Sequence, residues 1–90
     1  MSKVALVTGG SRGIGAAISK ALQEAGYQVA ATYGGNDEAA AAFTSETGIK
    51  TYKWSVADYD ACKEGIAQVE ADIGPIDVLV NNAGITRDSM

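Results

Sequence analysis

The segment KVALVTGGSRGIG, residues 3–15, indicates a strand followed by a helix, because a mainly apolar run leads through a glycine-rich turn into a helical pattern. The run Lys3–Thr8 is typical of a strand buried on both faces of a sheet. Apolar residues at helical spacing follow in Gly13–Ala25, and the predicted inner side carries Ile14, Ile18, Ala21, Leu22 and Ala25. A helix start presents unpaired backbone N–H groups and a positive dipole end. The turn therefore predicts an anion-binding site.

The rest of the chain repeats this alternation of strand and helix. Three further apolar runs predict strands at Tyr27–Tyr33, Ile49–Val56 and Ile76–Val80. Asn36 and Asp58 are candidate N-caps of the two intervening helices, and Gly26 and Gly48 are candidate C-caps. Gly74 ends the third helix, whose predicted buried stripe is Tyr59, Cys62, Ile66, Val69 and Ile73.

The order β-α-β-α-β-α-β predicts a parallel sheet with right-handed crossovers and helices on both faces. A flavodoxin-like sheet has the same order of elements, so this pattern alone leaves the strand order open. In either sheet, ligands bind beyond the carboxyl ends of the strands. The candidate site residues therefore follow Thr8, Tyr33, Val56 and Val80.

Composition narrows the class of protein. Ninety residues with 47% hydrophobic content suit one small domain, and no apolar stretch is long enough to cross a bilayer. The N-terminus lacks a signal-peptide pattern, and a single cysteine fits a reducing compartment, so we expect a cytoplasmic protein. A net charge of −4 argues against binding to nucleic acid or anionic membranes. The absence of histidine and of clustered acids argues against a metal site.

The glycine loop TGGSRGIG, Thr8–Gly15, matches one of three phosphate-binding patterns. Its glycine spacing resembles a P-loop, but alanines stand where that motif needs Lys and Ser or Thr, which excludes a nucleoside triphosphatase. The pattern G-x-G-x-x-G fails because Ile18 stands at the third glycine. The pattern T-G-x-x-x-G-I-G fits, with Gly9, Gly13 and Gly15.

The loop TGGSRGIG together with VLVNNAG, residues 78–84, resembles the short-chain dehydrogenase/reductase family. The likeness spans the whole chain and is greatest to bacterial acetoacetyl-CoA reductases and 3-oxoacyl-acyl-carrier-protein reductases. It implies a Rossmann-like three-layer sandwich with strand order 3-2-1-4. It also implies that residues 1–90 form a single dinucleotide-binding half-domain, whose parent transfers hydride from NADPH to a 3-oxoacyl thioester.

The resemblance implies that the cofactor binds at the strand ends. Candidate binding residues are Gly9, Ser11, Arg12, Gly13, Ile14, Gly15, Tyr33, Gly34, Ser55, Val56, Asn82, Ala83 and Gly84. The second strand ends without a carboxylate for a ribose 2′-hydroxyl, and Asp37 is expected in the next helix, pointing away. Arg12 can pair with a 2′-phosphate. We therefore expect NADP(H) rather than NAD(H).

The family's catalytic Tyr-x-x-x-Lys follows NNAG, whereas the only such string here, Tyr59–Lys63, precedes it and is interpreted as coincidental. The catalytic serine, tyrosine and lysine would lie beyond Met90, so we expect an inactive fragment. The alternative is a stand-alone nucleotide-binding or self-associating module. Val78–Val80 would form an exposed apolar edge, which predicts a homodimer or larger homo-oligomer through edge pairing or exchange of C-terminal elements.

Overall fold

The computed structural model describes residues 3–11, 13–55 and 57–82. Its elements are β1 (Val4–Val7), α1 (Gly13–Glu24), β2 (Gln28–Tyr33), α2 (Asp37–Thr47), β3 (Lys50–Lys53), α3 (Tyr59–Asp72) and β4 (Ile76–Val80). The four strands form one parallel sheet in the order β3-β2-β1-β4. This confirms the Rossmann-like order. The flavodoxin-like alternative is wrong, because β4 rather than β3 pairs with β1.

The sheet is covered on both faces. On one face α1 and α2 pack over the buried core residues Val7, Val29, Ala31, Phe43 and Ile49. On the other face α3 packs over Leu6, Ala30 and Val69. All four residues of β1 are buried, as its continuous apolar run predicts.

The helix caps follow the sequence expectations. The side chain of Asn36 accepts a hydrogen bond from the Ala39 amide at 3.0 Å, and the side chain of Asp58 accepts one from the Ala61 amide at 3.1 Å. Gly48 has φ 77° and donates its N–H to the Thr44 carbonyl at 2.7 Å. These contacts satisfy backbone groups that a helix leaves unpaired at its ends.

The predicted inner side of α1 is right at Ile18 and Leu22, which are half-buried against the core, and wrong at the other three positions. Ile14 is 74% exposed, and Ala21 and Ala25 are exposed as well, whereas Gly15 and Ser19 are the buried positions. The Ser19 hydroxyl donates to the Gly10 carbonyl at 3.0 Å and to the Gly15 carbonyl at 2.9 Å. The helix start therefore lies too close to the loop for a large side chain to fit between them.

Two further expectations need correction. Tyr59 was predicted on the buried stripe of α3 but is 78% exposed, because it is the first helical residue and precedes the turns that contact the sheet. The third strand was predicted to reach Val56 but ends at Lys53. A turn closed by the Asp58 amide donating to the Ser55 carbonyl at 3.0 Å diverts the chain into α3.

Strand β4 lies at an edge of the sheet in the described part of the chain. Its burial alternates, and Leu79, beside Leu6 in the register, is 57% exposed. The edge position that the sequence predicted for β4 is thus present, but Val78 and Val80 are half-buried and only Leu79 of the three is exposed. None of the described helices combines the length and apolar character that a bilayer crossing requires.

Candidate functional site

The glycine loop lies across the carboxyl ends of three neighbouring strands. The Thr8 amide donates to the Val80 carbonyl of β4 at 3.0 Å, and the Gly10 amide donates to the Thr32 carbonyl of β2 at 3.1 Å. The Gly9 amide donates to the Thr32 hydroxyl at 3.1 Å. These bonds hold the loop at the edge of the sheet where ligands bind in folds of this type.

Two loop glycines have backbone conformations that other residues rarely adopt. Gly9 has φ 65° and Gly13 has φ 55°. A Cβ built on Gly13 would meet no atom within 4 Å, so open space lies beside the first residue of α1. The first backbone N–H groups of a helix have no acceptor within the helix and lie at the positive end of its dipole. This helix start therefore fits a phosphate group.

The third glycine of the motif has a different role, which is close packing. A Cβ on Gly15 would overlap the Gly9 carbonyl oxygen and lie 2.7 Å from the Asn82 amide nitrogen. That nitrogen donates to the Gly9 carbonyl at 3.3 Å. The Thr8 hydroxyl donates to the Asn81 side-chain oxygen at 3.2 Å. The residues after β4 are therefore joined to the glycine loop, as the pairing of the two sequence motifs suggests.

The end of β2 carries a charged cluster formed by Tyr33, Asp37 and Lys53. The Tyr33 hydroxyl donates to Asp37 Oδ1 at 3.0 Å, and Lys53 Nζ lies 3.3 Å from the same oxygen. Asp37 is in the first turn of α2, as predicted, but it reaches the side chain of the last residue of β2 instead of pointing away. The Tyr33 bond and then Lys53 lower the pKa of Asp37, and the same bond raises the pKa of Tyr33.

The end of β3 is organised by Ser55. Its hydroxyl accepts a hydrogen bond from the Ala57 amide at 3.2 Å, and its carbonyl accepts one from the Cys62 thiol at 3.7 Å. The neighbouring Trp54 packs on Gly65, where a Cβ would overlap the indole ring. The Trp54 indole N–H is buried without a partner among the described residues. A mainly apolar cavity of about 160 Å³ adjoins it, between β1, β4 and α3.

The structure brings together most of the described candidate residues. Gly9, Ser11, Gly13, Gly15 and Asn82 belong to the loop and its contacts, Ile14 is exposed at the start of α1, and Tyr33 and Gly34 follow at the end of β2. Arg12, Val56, Ala83 and Gly84 lie outside the described residues. Among the described residues there is no cluster of three or more potential metal ligands, and Tyr59 stands exposed at the start of α3.

Sequence reasoning missed three residues that shape this site. Thr32 is 1% exposed, and its hydroxyl and carbonyl both hold the loop. Ser19 is fully buried and is bonded to two loop carbonyls. Lys53 pairs with Asp37. The polar Thr32, directly after the apolar run Val29–Ala31, was the available signal, since a buried hydroxyl needs a partner.

Comparison with known proteins places this arrangement in a family. A family model described as short chain dehydrogenase matches residues 3–90. Over 90 residues the chain is 82% identical to acetoacetyl-CoA reductase from Paracoccus denitrificans and covers 37% of it. It is 48% identical over 95 residues to 3-oxoacyl-acyl-carrier-protein reductase FabG from Staphylococcus aureus (strain N315), covering 100% of this chain and 39% of that protein.

A solved structure shares both fold and sequence. The blue fluorescent protein from a metagenomic library, solved in complex with NADPH, aligns with a TM-score of 0.82 and 40% identity. The match covers 89% of this chain and 35% of that one. The chain thus spans little more than a third of the length of the proteins it matches.

Proposed function

Because this chain belongs to the short-chain dehydrogenase family, we propose that it is the nucleotide-binding part of an NADPH-dependent 3-oxoacyl-thioester reductase of the acetoacetyl-CoA type. The observation that carries the proposal is the open helix start at Gly13, which follows a loop that Thr32 and Asn82 hold at the strand ends through Gly9. The 82% identical relative, acetoacetyl-CoA reductase from Paracoccus denitrificans, supports the substrate class.

The residues of this chain would bind and orient the cofactor. The N–H groups at the start of α1 would hold the pyrophosphate, since Gly13 leaves room for its approach. Tyr33 and Gly34 would lie beside the adenosine ribose, and Arg12 would pair with a 2′-phosphate. Ser55 and Val56 would contact the adenine.

The nicotinamide end would rest on the segment after β4. Asn82, Ala83 and Gly84 would line that end, with the Asn82 amide already holding the Gly9 carbonyl. When bound, NADPH supplies the hydride. No residue of this chain is assigned to proton transfer, so we propose that residues 1–90 alone bind cofactor without turnover.

The test is a titration with NADPH, followed by nicotinamide fluorescence, of the unsubstituted protein and two glycine variants. Gly13→Asp places a negative charge at the proposed phosphate site. Gly26→Asp is the matched control, because Gly26 also has a positive φ, at 102°, and open space, but lies at the other end of α1. We expect Gly13→Asp to weaken binding at least tenfold and Gly26→Asp to leave it within about twofold. Equal affinities for the two variants contradict the site.

A second candidate function is self-association. It is favoured by β4, which lies at a sheet edge and exposes 57% of Leu79. Unpaired strand edges with apolar side chains pair readily with another chain. In this alternative two copies would join along β4 or exchange C-terminal elements. Light scattering over a concentration series tests it, and a constant monomer mass up to millimolar protein would contradict it.

A further inference from the structure

The charged cluster of Tyr33, Asp37 and Lys53 lies where the proposed cofactor would carry its distinguishing group. Tyr33 is the last residue of β2 and Lys53 the last of β3, and the two are partners in the parallel register. Asp37 opens α2. Gly34 and Gly35 lie in the connection from β2 to α2, and a Cβ on either glycine would meet no atom within 4 Å. Two adjacent strand ends and a helix start thus converge on one carboxylate beside open space.

Both oxygens of the Asp37 carboxylate are engaged. Oδ1 accepts from the Tyr33 hydroxyl at 3.0 Å, and Lys53 Nζ lies 3.3 Å from Oδ1 and 3.3 Å from Oδ2. The bond to Tyr33 and the charge of Lys53 lower the pKa of Asp37, so its carboxylate is ionised at neutral pH. The single negative charge is matched by the single positive charge of Lys53.

A free carboxylate at the end of the second strand is the group that binds the 2′-hydroxyl of NAD in dinucleotide-binding folds. It would also repel the 2′-phosphate of NADP. Here the carboxylate is present and 66% of its side chain is exposed, but each of its oxygens has a neighbour and Lys53 supplies a compensating charge.

We propose that Lys53 is a specificity-determining residue, which favours NADPH over NADH by masking the Asp37 carboxylate. The inference rests on the proposed function, because it concerns the same cofactor site. Tyr33 has a positioning role, since its hydroxyl holds Asp37 towards Lys53. Loss of Lys53 would leave an uncompensated carboxylate that accepts a ribose 2′-hydroxyl and opposes a 2′-phosphate.

The experiment is a double-mutant cycle in which dissociation constants for NADPH and for NADH are measured by fluorescence at low ionic strength. The proteins are unsubstituted, Lys53→Met, Asp37→Asn and the double variant. Lys20→Met is the matched control: Lys20 pairs with Glu46 at 3.2 Å at similar exposure, but on α1 and α2. Circular dichroism verifies that each variant is folded.

If Lys53 masks Asp37, Lys53→Met should lower the preference for NADPH over NADH about tenfold. The Asp37 carboxylate would then repel the 2′-phosphate of NADPH through solvent that screens the two charges only in part. Adding Asp37→Asn should restore the preference to within about threefold of the starting value, and Lys20→Met should not change it. A preference that stays low in the double variant would mean that Lys53 contacts the phosphate directly, and overturns masking. An unchanged preference in Lys53→Met overturns it as well. If the unsubstituted protein binds neither nucleotide, the proposed function fails, and this inference fails with it.

Discussion

The face of the sheet covered by α1 and α2 and the face covered by α3 differ in how much apolar surface they bury. Among the described residues, the first has a cluster of five buried residues that includes Val7 and Phe43. In the same part of the chain the second has three, while Trp54 and Ile66 are only partly buried and Leu79 is mostly exposed. Right-handed crossovers explain the difference. The chain moves one way from β1 to β3, which places two helices on one face, and returns to β4 with a single helix on the other.

The two faces also differ in how completely they are packed. The glycine loop is attached to α1 and to the strand ends on the densely packed side. Among the described residues, the α3 face leaves the Trp54 indole N–H without a hydrogen-bond partner, and its apolar cluster has fewer buried residues. We therefore expect the stability of the domain to come mainly from the first face.

The largest expected effect comes from truncating the first core. Phe43 is 6% exposed, so Phe43→Ala should lower the free energy of unfolding by ~3–5 kcal/mol through lost burial and a residual cavity. Leu79→Ala is the comparison on the other face and should cost less than ~1 kcal/mol, because Leu79 is 57% exposed. Urea denaturation measures both. Similar losses would remove the distinction between the faces.

The next effect concerns the close contact between α3 and Trp54. An alanine in a helix is ordinarily favoured over glycine, but the Cβ of Gly65→Ala would overlap the indole ring. We expect a loss of ~1–3 kcal/mol and a change in the emission of Trp54, the only tryptophan. Ala67→Gly, at an exposed position of α3, is the control and should leave that emission unchanged. A stabilised Gly65→Ala protein would show that α3 lies farther from the sheet.

We expect a substitution in β4 to change stability less, but to change self-association measurably. Leu79→Lys should change the free energy of unfolding by no more than ~0.5–1 kcal/mol and should reduce self-association in light scattering. Ile14→Lys changes another exposed apolar residue, which is 74% exposed on α1, and serves as the control. If both variants reduce association equally, the contact is non-specific and the β4 edge is not the interface.

The smallest expected effect is a fall in the stability of the fold at alkaline pH. Burial, and then the hydrogen bond to Asp72, raise the pKa of Tyr52 to about 12. Because the folded state favours the neutral phenol, this contribution to stability is complete below the unfolded pKa near 10 and is lost as the pH rises towards 12. Tyr52→Phe should therefore flatten the decline of the urea midpoint over that range. An equally steep decline in the variant would assign the effect to other groups.

The sequence predicted the fold well because its signals were local. Strand, turn and cap residues such as Asn36, Asp58 and Gly48 act within a few residues of themselves, and the helix patterns have clear spacing. The spacing of apolar residues does not show which side of a helix is buried where the helix packs against a loop instead of a sheet. At the start of α1 the close approach of the loop selects Gly15 and Ser19 for burial, and Ile14 faces solvent.

The site was less predictable, because its polar contacts join residues far apart in sequence. The glycine motif indicated the phosphate-binding turn, but the bonds from Gly9 and Gly10 to Thr32 arise only when β1 and β2 are paired. Likewise Asp37 and Lys53 meet only because β3 lies beside β2. The linear sequence does not show that the Asp37 carboxylate of α2 contacts the last residues of both strands.

The proposed binding site for the phosphates of a nicotinamide dinucleotide is the start of α1. It is tested most directly by titrating isotope-labelled protein with NADPH and following its backbone amide resonances. We predict saturable shifts that are largest from Gly9 to Gly15, smaller at Tyr33 and Gly34, and negligible at the opposite end of the sheet near Gln28 and Asp72. Shifts that avoid the glycine loop, or none at millimolar NADPH, would contradict this binding site.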